Sequence, residues 1–538
     1  MSGSKSSVWA VAAVLLIVAA GSGTGRGESL WELASKNKEL LRISTLFTAQ
    51  NVRDYLSGDN GRVNAMDWCR ENGVTHVFIE TFRDGYTADR RTLRMAKGRF
   101  EEEGFDVSAC VTTTRVGKVS TGWNVISCYT DQPTQERLQE IFEYTASIFD
   151  EIMIDDFLFT DCECEQCKRG RGAQSWAEYR CSLMRRLSNE RILEPARAAN
   201  ADVKVIIKYP QWYDNFQNRG YEVVGQTADF DRIWVGTETR DFDNPRWGGK
   251  VQYEAYYIMR WLGEIGGAKT GGGWFDPYGT TEDTYVEQAR QTVLADAKEM
   301  LLFCYGSLLR ETGPANVAKL RAELPGLFEL AAMVRGESIR GIAAPKPPNS
   351  DAGDEQYVYD FVGMLGLPLV PTASFATDAK AAFLPVHAYK DPGLSGKLKA
   401  MLAAKKPVIV TDGLAKRLGG LDLEDENLIT LMVGGNPRGL LAVDQAEVRR
   451  IRRKMLAPFG FMFDGPVMVG LYLIGENLVV VENFSDETVF GSLKWPEPVK
   501  ARQRLVLPPK ANVEISFGLH SVEFRELAPR TLVVIEYE

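Results

Sequence analysis

The sequence is poor in histidine and carries no long apolar segment beyond its first residues. Only three histidines occur among 538 residues, which leaves little material for a histidine-based zinc hydrolase or a serine triad. The formal net charge of −9 argues against nucleic acid or an anionic membrane as a partner, because their phosphates would be repelled. No internal repeat or low-complexity tract is present. These absences favour a globular protein with a neutral ligand.

The amino terminus has the pattern of an export signal. Lys5 precedes thirteen apolar residues, 8–20, and small residues follow at 21–25. Such a run is short of the roughly 20 residues that span a bilayer, but it is typical of a signal peptide. We predict that residues 1–25 are cleaved, with an uncleaved anchor as the alternative. The mature protein is then secreted or periplasmic and has no membrane span.

Eight apolar, β-rich segments alternate with helix-like segments at the spacing of βα units. The predicted strands are 41–48, 75–80, 106–113, 151–155, 203–209, 232–238, 271–275 and 300–305. Eight parallel strands over about 290 residues predict a TIM (β/α)8 barrel at residues 26–335. An open doubly wound sheet is the structural alternative.

Two smaller units are expected after the barrel. Residues 336–425 again alternate short strands with helices, which indicates a flavodoxin-like α/β domain. Residues 426–538 are dominated by short strands with turn residues between them, which is typical of a β-sandwich.

A cysteine cluster follows the fourth predicted strand. Cys162, Cys164 and Cys167 form a C-x-C-x-x-C pattern, and Cys128 precedes the helix that leads into that strand. Four thiolates are the usual ligands of a structural zinc ion. A Cys162–Cys167 or similar disulfide is the alternative in an oxidising compartment. Because four thiolates leave no open coordination position, a hydrolase that uses this metal in its chemistry is disfavoured.

Acidic residues lie where barrel enzymes hold their chemistry, at the carboxyl ends of the strands. Asp155 and Asp156 end the fourth strand, and two adjoining acids raise the pKa of one of them towards that of a general acid. Glycoside cleavage needs a second carboxyl group across the sugar. Glu238, after the sixth strand, is the first choice and Asp276, after the seventh, is the second. The alternative for any single acid is a helix cap or a pairing with arginine.

Aromatic and basic side chains crowd the same strand ends. Aromatic rings beside carboxylates suit a carbohydrate cleft, because sugar rings present apolar C–H faces. Trp212 and Trp274, both expected in loops after their strands, are the preferred stacking residues, whereas Trp234 is expected to pack in the scaffold. The other candidates for substrate binding or for holding the acids ionised are Glu80, Tyr209, Arg240, Arg83 and Lys208.

The run DDFLFTDCECEQC, followed by a helix around Trp176 and Tyr179, resembles the family-42 β-galactosidases. In that family an acid on the fourth strand precedes a zinc-binding C-x-C-x-x-C loop. The resemblance implies Cys128 as the fourth ligand, a middle domain that mediates trimerisation, and a galactoside substrate. The family has Asn–Glu on strand four and a Glu nucleophile on strand seven. The resemblance thus implies that Asp156 is the acid/base and Asp276 the nucleophile.

A second resemblance leads to different roles. An Asp on strand four paired with an acid on strand six resembles α-galactosidase-type barrels, which would make Asp156 the nucleophile and Glu238 the acid/base. Our leading hypothesis is an exported glycoside hydrolase with Asp156 and Glu238 as the principal pair and Asp155 and Asp276 in reserve. Its substrates would be galactosides or related plant, algal or bacterial glycans. The rival is a barrel that has lost catalysis and only binds carbohydrate.

Overall fold

The computed structural model describes residues 28–419 and 425–538. The predicted export signal, residues 1–25, lies outside this part of the chain. Among the described residues, no helix combines the length and the apolar character needed to cross a membrane.

Eight parallel strands close into a barrel. They are β1 (Arg42–Phe47), β2 (His76–Arg83), β3 (Asp106–Val111), β4 (Glu151–Ile154), β5 (Lys204–Tyr209), β6 (Arg232–Gly236), β7 (Thr270–Phe275) and β8 (Glu299–Leu302). β1 pairs with both β2 and β8, which closes the sheet. The predicted TIM barrel is therefore confirmed, and the alternative of an open sheet is wrong. Each predicted strand overlaps an observed one.

Helices surround the barrel, and local sequence signals start several of them. Asp131 caps one helix by accepting a hydrogen bond from the backbone N–H of Thr134, and Ser175 forms a capping box with Glu178 at another. The main outer helices are Asp59–Glu71, Arg90–Glu102, Gln132–Ala146, Trp176–Leu187, Val223–Asp229, Tyr253–Gly266, Glu282–Leu294 and Gly313–Val334.

Strand alternation divides the barrel side chains between an inner and an outer core. Phe78, Met153, Ile206, Trp234 and Leu301 meet inside the barrel, while their chain neighbours pack outwards against the helices. Two residues further along β4 and β5, the same alternation aims Asp155 and Lys208 inwards. The apolar interior therefore ends in a polar layer at the carboxyl ends of the strands.

A five-stranded parallel sheet follows the barrel. In spatial order its strands are Leu369–Thr372, Ile342–Pro345, Ala382–Leu384, Val408–Thr411 and Leu428–Leu431. In chain numbering this order is 2-1-3-4-5, that of flavodoxin-like folds. The last strand and the following helix Gln445–Leu456 lie beyond residue 425, where the sequence prediction ended this domain.

The carboxyl-terminal part consists of two antiparallel sheets packed face to face. One contains Ile339–Arg340, Val469–Ile474, Leu478–Asn483, Thr531–Tyr537 and Ala501–Leu507, and the other Met462–Asp464, Val489–Lys494, Ser521–Leu527 and Val513–Phe517. Apolar residues of both sheets form one core, including Leu471 and Val481 from the first and Leu493 and Phe524 from the second. The predicted β-sandwich is thus present.

One barrel helix joins all three parts. Tyr253–Gly266 is buried along most of its length. Trp261 donates a hydrogen bond to the carbonyl of Lys346, beside the small sheet, over 2.8 Å. Tyr253 stacks on Tyr472 of the sandwich, with ring centroids 5.4 Å apart. We call this helix the seam helix.

Candidate active site

Three charged side chains converge at the carboxyl ends of β4, β5 and β6. The Lys208 Nζ lies 3.2 Å from the Asp156 Oδ2 and 3.5 Å from the Glu238 Oε1, so these two carboxyl oxygens are at most 6.7 Å apart. Carboxyl groups about 5–5.5 Å apart are typical of retaining glycosidases, and 6.5–9.5 Å of inverting ones. The sequence placed Asp156 and Glu238 on different strands, and the structure brings them to one lysine.

Glu238 is held in a buried but incompletely bonded position. Its side chain is 4% exposed, and the Oε2 atom has no hydrogen-bond partner among the described residues. Gly236 makes room for it, because a β-carbon at this position would come within 2.6 Å of that oxygen. A buried acceptor without a partner is costly, so this oxygen is suited to a ligand that supplies a donor or an electrophilic carbon.

Asp155 belongs to a second, deeper layer of the site. Its carboxylate accepts hydrogen bonds from Arg83 Nη2 at 2.9 Å and Thr112 Oγ1 at 3.0 Å. Arg83 also donates to Glu80, as does the backbone N–H of Ala49, both over 2.8 Å. Glu80 is fully buried and does not line the cavity. Its sequence-based assignment to substrate binding therefore does not fit the structure, and Glu80 instead supports Arg83.

The Thr112 hydroxyl links two buried acids. It is within hydrogen-bond distance of both Glu80 and Asp155. Burial raises the pKa of Glu80, although Arg83 and Thr112 oppose the shift. Burial also disfavours the Asp155 carboxylate, but Lys208 and Arg83 outweigh it and lower the Asp155 pKa. The pKa values of the two acids are therefore shifted in opposite directions.

Asp156 differs from its neighbour although both follow β4. Burial raises its pKa well above the ordinary value, and the negative charges of Asp155 and Glu238 add to the shift, while Lys208 opposes it. The pKa values of the two adjacent acids are thus shifted in opposite directions, with that of Asp155 lowered and that of Asp156 raised, as expected for two carboxyls sharing one site.

Asp276 is close to the site but engaged elsewhere. Arg240 donates two hydrogen bonds to its carboxylate, over 3.2 and 2.7 Å, and the backbone N–H of Tyr278 donates a third over 3.1 Å. Burial raises the pKa of Asp276, with Arg240 opposing and Glu238 reinforcing the shift. The predicted Arg240 is therefore a partner of Asp276, and both side chains line the cavity.

A cavity of about 1760 Å³ opens over these groups, larger than the roughly 300–1,000 Å³ of most small-molecule pockets. Trp212 lines it from a loop, as predicted. Trp274 also lines it but lies within β7, not in a loop, and is 3% exposed beneath the Lys208 ammonium. Trp234 is buried inside the barrel, in agreement with its predicted scaffold role.

Tyr209 does not reach the cavity. It ends β5, directly after the inward-facing Lys208, so alternation turns its ring outwards. Its side chain is fully buried, and its hydroxyl lies 3.0 Å from the Thr227 hydroxyl and 3.2 Å from the carbonyl of Val223. The prediction of Tyr209 as a substrate-binding residue was wrong for this reason.

Two residues of the site were not singled out from the sequence. Thr112 follows β3 and is fully buried beside Glu80 and Asp155, and only its position at a strand end pointed to a role. Phe157 directly follows Asp156 and lines the cavity. The alternation in DDFLF, which places an aromatic residue immediately after the acids, was the signal that could have identified it.

The four predicted cysteine ligands come together below one wall of the cavity. All four sulfur atoms lie within 4.8 Å of one another, and the three closest pairs are 3.5, 3.7 and 3.8 Å apart. Tetrahedral zinc with Zn–S bonds of 2.3 Å requires sulfurs about 3.8 Å apart, so the residues fit the ion. All eight cysteines are free thiols, and the alternative of a disulfide is not observed. Burial opposes ionisation of Cys164, but hydrogen bonds from the neighbouring thiols lower its pKa to about 6.

A family model described as "Probable glycosyl hydrolase, catalytic domain" matches residues 28–350, and the chain belongs to this family. A curated relative, an uncharacterized protein of Saccharolobus solfataricus, is 27% identical over an alignment of 344 residues that covers 56% of this chain. The match spans only 55% of that relative's length.

Solved structures extend the likeness beyond the barrel. Gan42B, a GH42 β-galactosidase, superposes with a TM-score of 0.57 at 10% identity and covers 93% of this chain and 98% of its own. The order of barrel, middle domain and sandwich is therefore similar to the fold of this family-42 β-galactosidase. The exo-β-1,4-mannosidase Op5Man5 of Opitutaceae bacterium strain TAV5 matches with a TM-score of 0.44 and 10% identity, over 69% of this chain and 76% of its own. That weaker likeness supports no conclusion about this chain.

Proposed function

We propose that the protein is a glycoside hydrolase in which Asp156 and Glu238 are the two reacting carboxyl groups. The observation that carries the proposal is their shared contact with Lys208, which limits their separation to the range of glycosidases and leaves both on the cavity wall. Asp276 is the weaker candidate because its two oxygens are already bound by Arg240.

The electrostatics support different roles for the two acids. A carboxyl group kept protonated near neutral pH is suited to donate a proton to the leaving glycosidic oxygen, and Asp156 has the raised pKa. Glu238, beside the lysine cation, would attack the anomeric carbon and form a glycosyl ester, which water then hydrolyses with Asp156 as the base. The maximum separation of 6.7 Å lies near the lower limit for inverting enzymes and therefore favours this retaining route.

The test begins with nitrophenyl glycosides in both anomeric forms, with galactosides first because the Gan42B fold is that of a β-galactosidase. Asp156→Asn and Glu238→Gln should each lower kcat/KM by about 100-fold or more. Asp243→Asn, an exposed acid in the loop after β6, is the matched control and should have no effect. Full activity of Asp156→Asn would show that the roles are misassigned.

Azide separates acid from nucleophile. In Asp156→Ala, azide attacks the glycosyl ester and should yield a glycosyl azide of retained configuration. In Glu238→Ala, it attacks the substrate directly and should yield the inverted product. The opposite pattern would support the α-galactosidase-like assignment. Binding of glycosides without hydrolysis by the wild-type protein would instead favour the non-catalytic carbohydrate-binding barrel.

Export, the kind of substrate, the domain division, the metal site and the oligomeric state are further proposals that are consistent with this function. We propose that residues 1–25 direct export, that the substrate is a carbohydrate, and that the division into a barrel, a middle domain and a sandwich follows the three sheets. The cysteine cluster would hold a structural zinc ion, closed by four thiolates and remote from the reacting carboxyls. A homotrimer is implied by the family resemblance, and light scattering of the mature protein would test it.

A further inference from the structure

An exposed aromatic surface continues the cavity away from the carboxyl groups. Trp123 is 48% exposed, and its ring centroid lies 5.6 Å from that of Phe157, the residue after Asp156. Phe159 lies behind both rings at 6.4 Å. All three line the same cavity as Asp156. We call Trp123 and Phe157 the aromatic platform.

The backbone under Trp123 is fixed by the acid that precedes the cysteine cluster. Asp161 accepts a hydrogen bond from the Trp123 backbone N–H over 2.8 Å and another from Arg219 over 2.6 Å, and the Ser120 hydroxyl donates to its other oxygen. Gly122 permits this close approach, because a β-carbon there would come within 2.4 Å of the Asp161 carboxylate. The exposed ring is therefore presented by an anchored loop.

Polar groups border the platform on the same wall. Arg180 donates to Glu163 over 2.9 Å, with Glu163 49% exposed, and the Arg219 side chain is 41% exposed beside Asp161. Each pair offers both donors and acceptors at the cavity surface. An apolar ring face flanked by such pairs matches a pyranose ring, which has apolar C–H faces and a rim of hydroxyl groups.

From this arrangement we infer that the platform is a second sugar-binding site and that the substrate is an oligosaccharide. One sugar ring would stack on Trp123 while a neighbouring ring lies at Asp156 and Glu238. The platform and the reacting carboxyl groups line one cavity, and Phe157, a member of the platform, directly follows Asp156 in the chain. This arrangement supports the inference. The size of the cavity, about 1760 Å³, supports it as well. The inference rests on the proposed function for the position of the cleaved bond, but binding at the platform does not require cleavage.

The test uses Asp156→Asn protein on a printed array of plant, algal and bacterial oligosaccharides with the matching monosaccharides. Retention of oligosaccharides but not of monosaccharides is expected. Adding Trp123→Ala should weaken binding of the retained oligosaccharide about tenfold or more, because the buried apolar ring face is lost. Trp123→Phe should restore most of it. Tyr389→Ala, an exposed aromatic residue outside the cavity, is the matched control and should not change binding.

Kinetics give the second readout. On an active substrate, Trp123→Ala should lower kcat/KM about tenfold for the oligosaccharide and leave that for the nitrophenyl monoglycoside within about twofold. Unchanged binding and kinetics in Trp123→Ala, equal retention of monosaccharides, or no retention of any glycan would overturn the inference. Trp123-dependent binding without hydrolysis would uphold the platform and refute the proposed hydrolase instead. Hydrolysis of the oligosaccharide that is unaffected by Trp123→Ala would uphold the proposed hydrolase and refute the platform.

Discussion

Replacing Lys208 with methionine should both destabilise the protein and abolish activity. The lysine side chain is 1% exposed, and its Nζ lies 3.2–3.6 Å from oxygens of Asp155, Asp156 and Glu238. Methionine retains much of the apolar stem but removes the charge. Removing one partner of a buried ion pair costs about 3–5 kcal/mol, since the remaining charges lose their compensation. We expect a loss of this size in the free energy of unfolding at pH 7.5.

The pH dependence provides the sharper test. Burial lowers the pKa of Lys208, but the three carboxylates outweigh it and the net pKa is raised. Its contribution is therefore complete below the ordinary lysine pKa and persists through neutral pH. Without the lysine, the buried acids have raised folded-state pKa values, which destabilise the protein above about pH 4. The difference between Lys208→Met and wild type should thus shrink as the pH falls from 7.5 towards 5.

Denaturant-induced unfolding followed by tryptophan fluorescence at both pH values would measure this difference. Lys204→Met, at the exposed start of the same strand, is the matched control and should change stability little. Lys208→Arg retains the charge and should recover part of the stability. If Lys208→Met unfolded at the wild-type denaturant concentration at pH 7.5, Lys208 would not be what compensates these acids.

Two further predictions concern the groups around this centre. Glu80→Gln should leave stability within about 1 kcal/mol and activity largely intact, because burial raises the Glu80 pKa and glutamine resembles the protonated acid. Asp155→Asn should cost about 3 kcal/mol at pH 7.5, since the Asp155 pKa is lowered and Arg83 and Lys208 lose a counter-charge. Equal effects of the two changes in a thermal unfolding series would contradict the opposite pKa shifts of these two acids. The native protein should contain one zinc per chain by elemental analysis, and a strong chelator should lower its unfolding temperature, whereas Cys164→Ser should reduce the zinc content. Metal-free protein with unchanged stability would refute the zinc site.

The barrel was predictable because its signals are local and repeated. Each strand is a short apolar run and is followed by a helical segment, so that an error at one boundary does not disturb the next. Asp155, Asp156 and Glu238 were singled out because barrel enzymes hold their active residues at strand ends. Their common contact with Lys208 was not predictable, because it depends on how β4, β5 and β6 are staggered in the closed sheet.

The errors have equally specific causes. Tyr209 is one residue from a position of the opposite orientation, and Trp274 lies within β7 instead of the loop after it, because strand ends shift by a residue or two from any sequence pattern. Glu80 follows an apolar run as Glu238 does, but it is covered by Arg83 from its own strand and by Thr112 from the end of β3. The sequence around Glu80 is similar in composition to that around Glu238. Only the tertiary structure shows that Glu238 lines the cavity and that Glu80 is buried beneath it.

The seam helix limits how this protein can be divided or recombined. A protein truncated after the barrel would expose the aromatic side chains of Tyr253 and Trp261, which now lie against the sandwich and the small sheet. Exposed patches of this kind cause aggregation. We therefore expect that the barrel cannot be exchanged between proteins by simple fusion. Substitutions in the cavity should be made within the full-length chain.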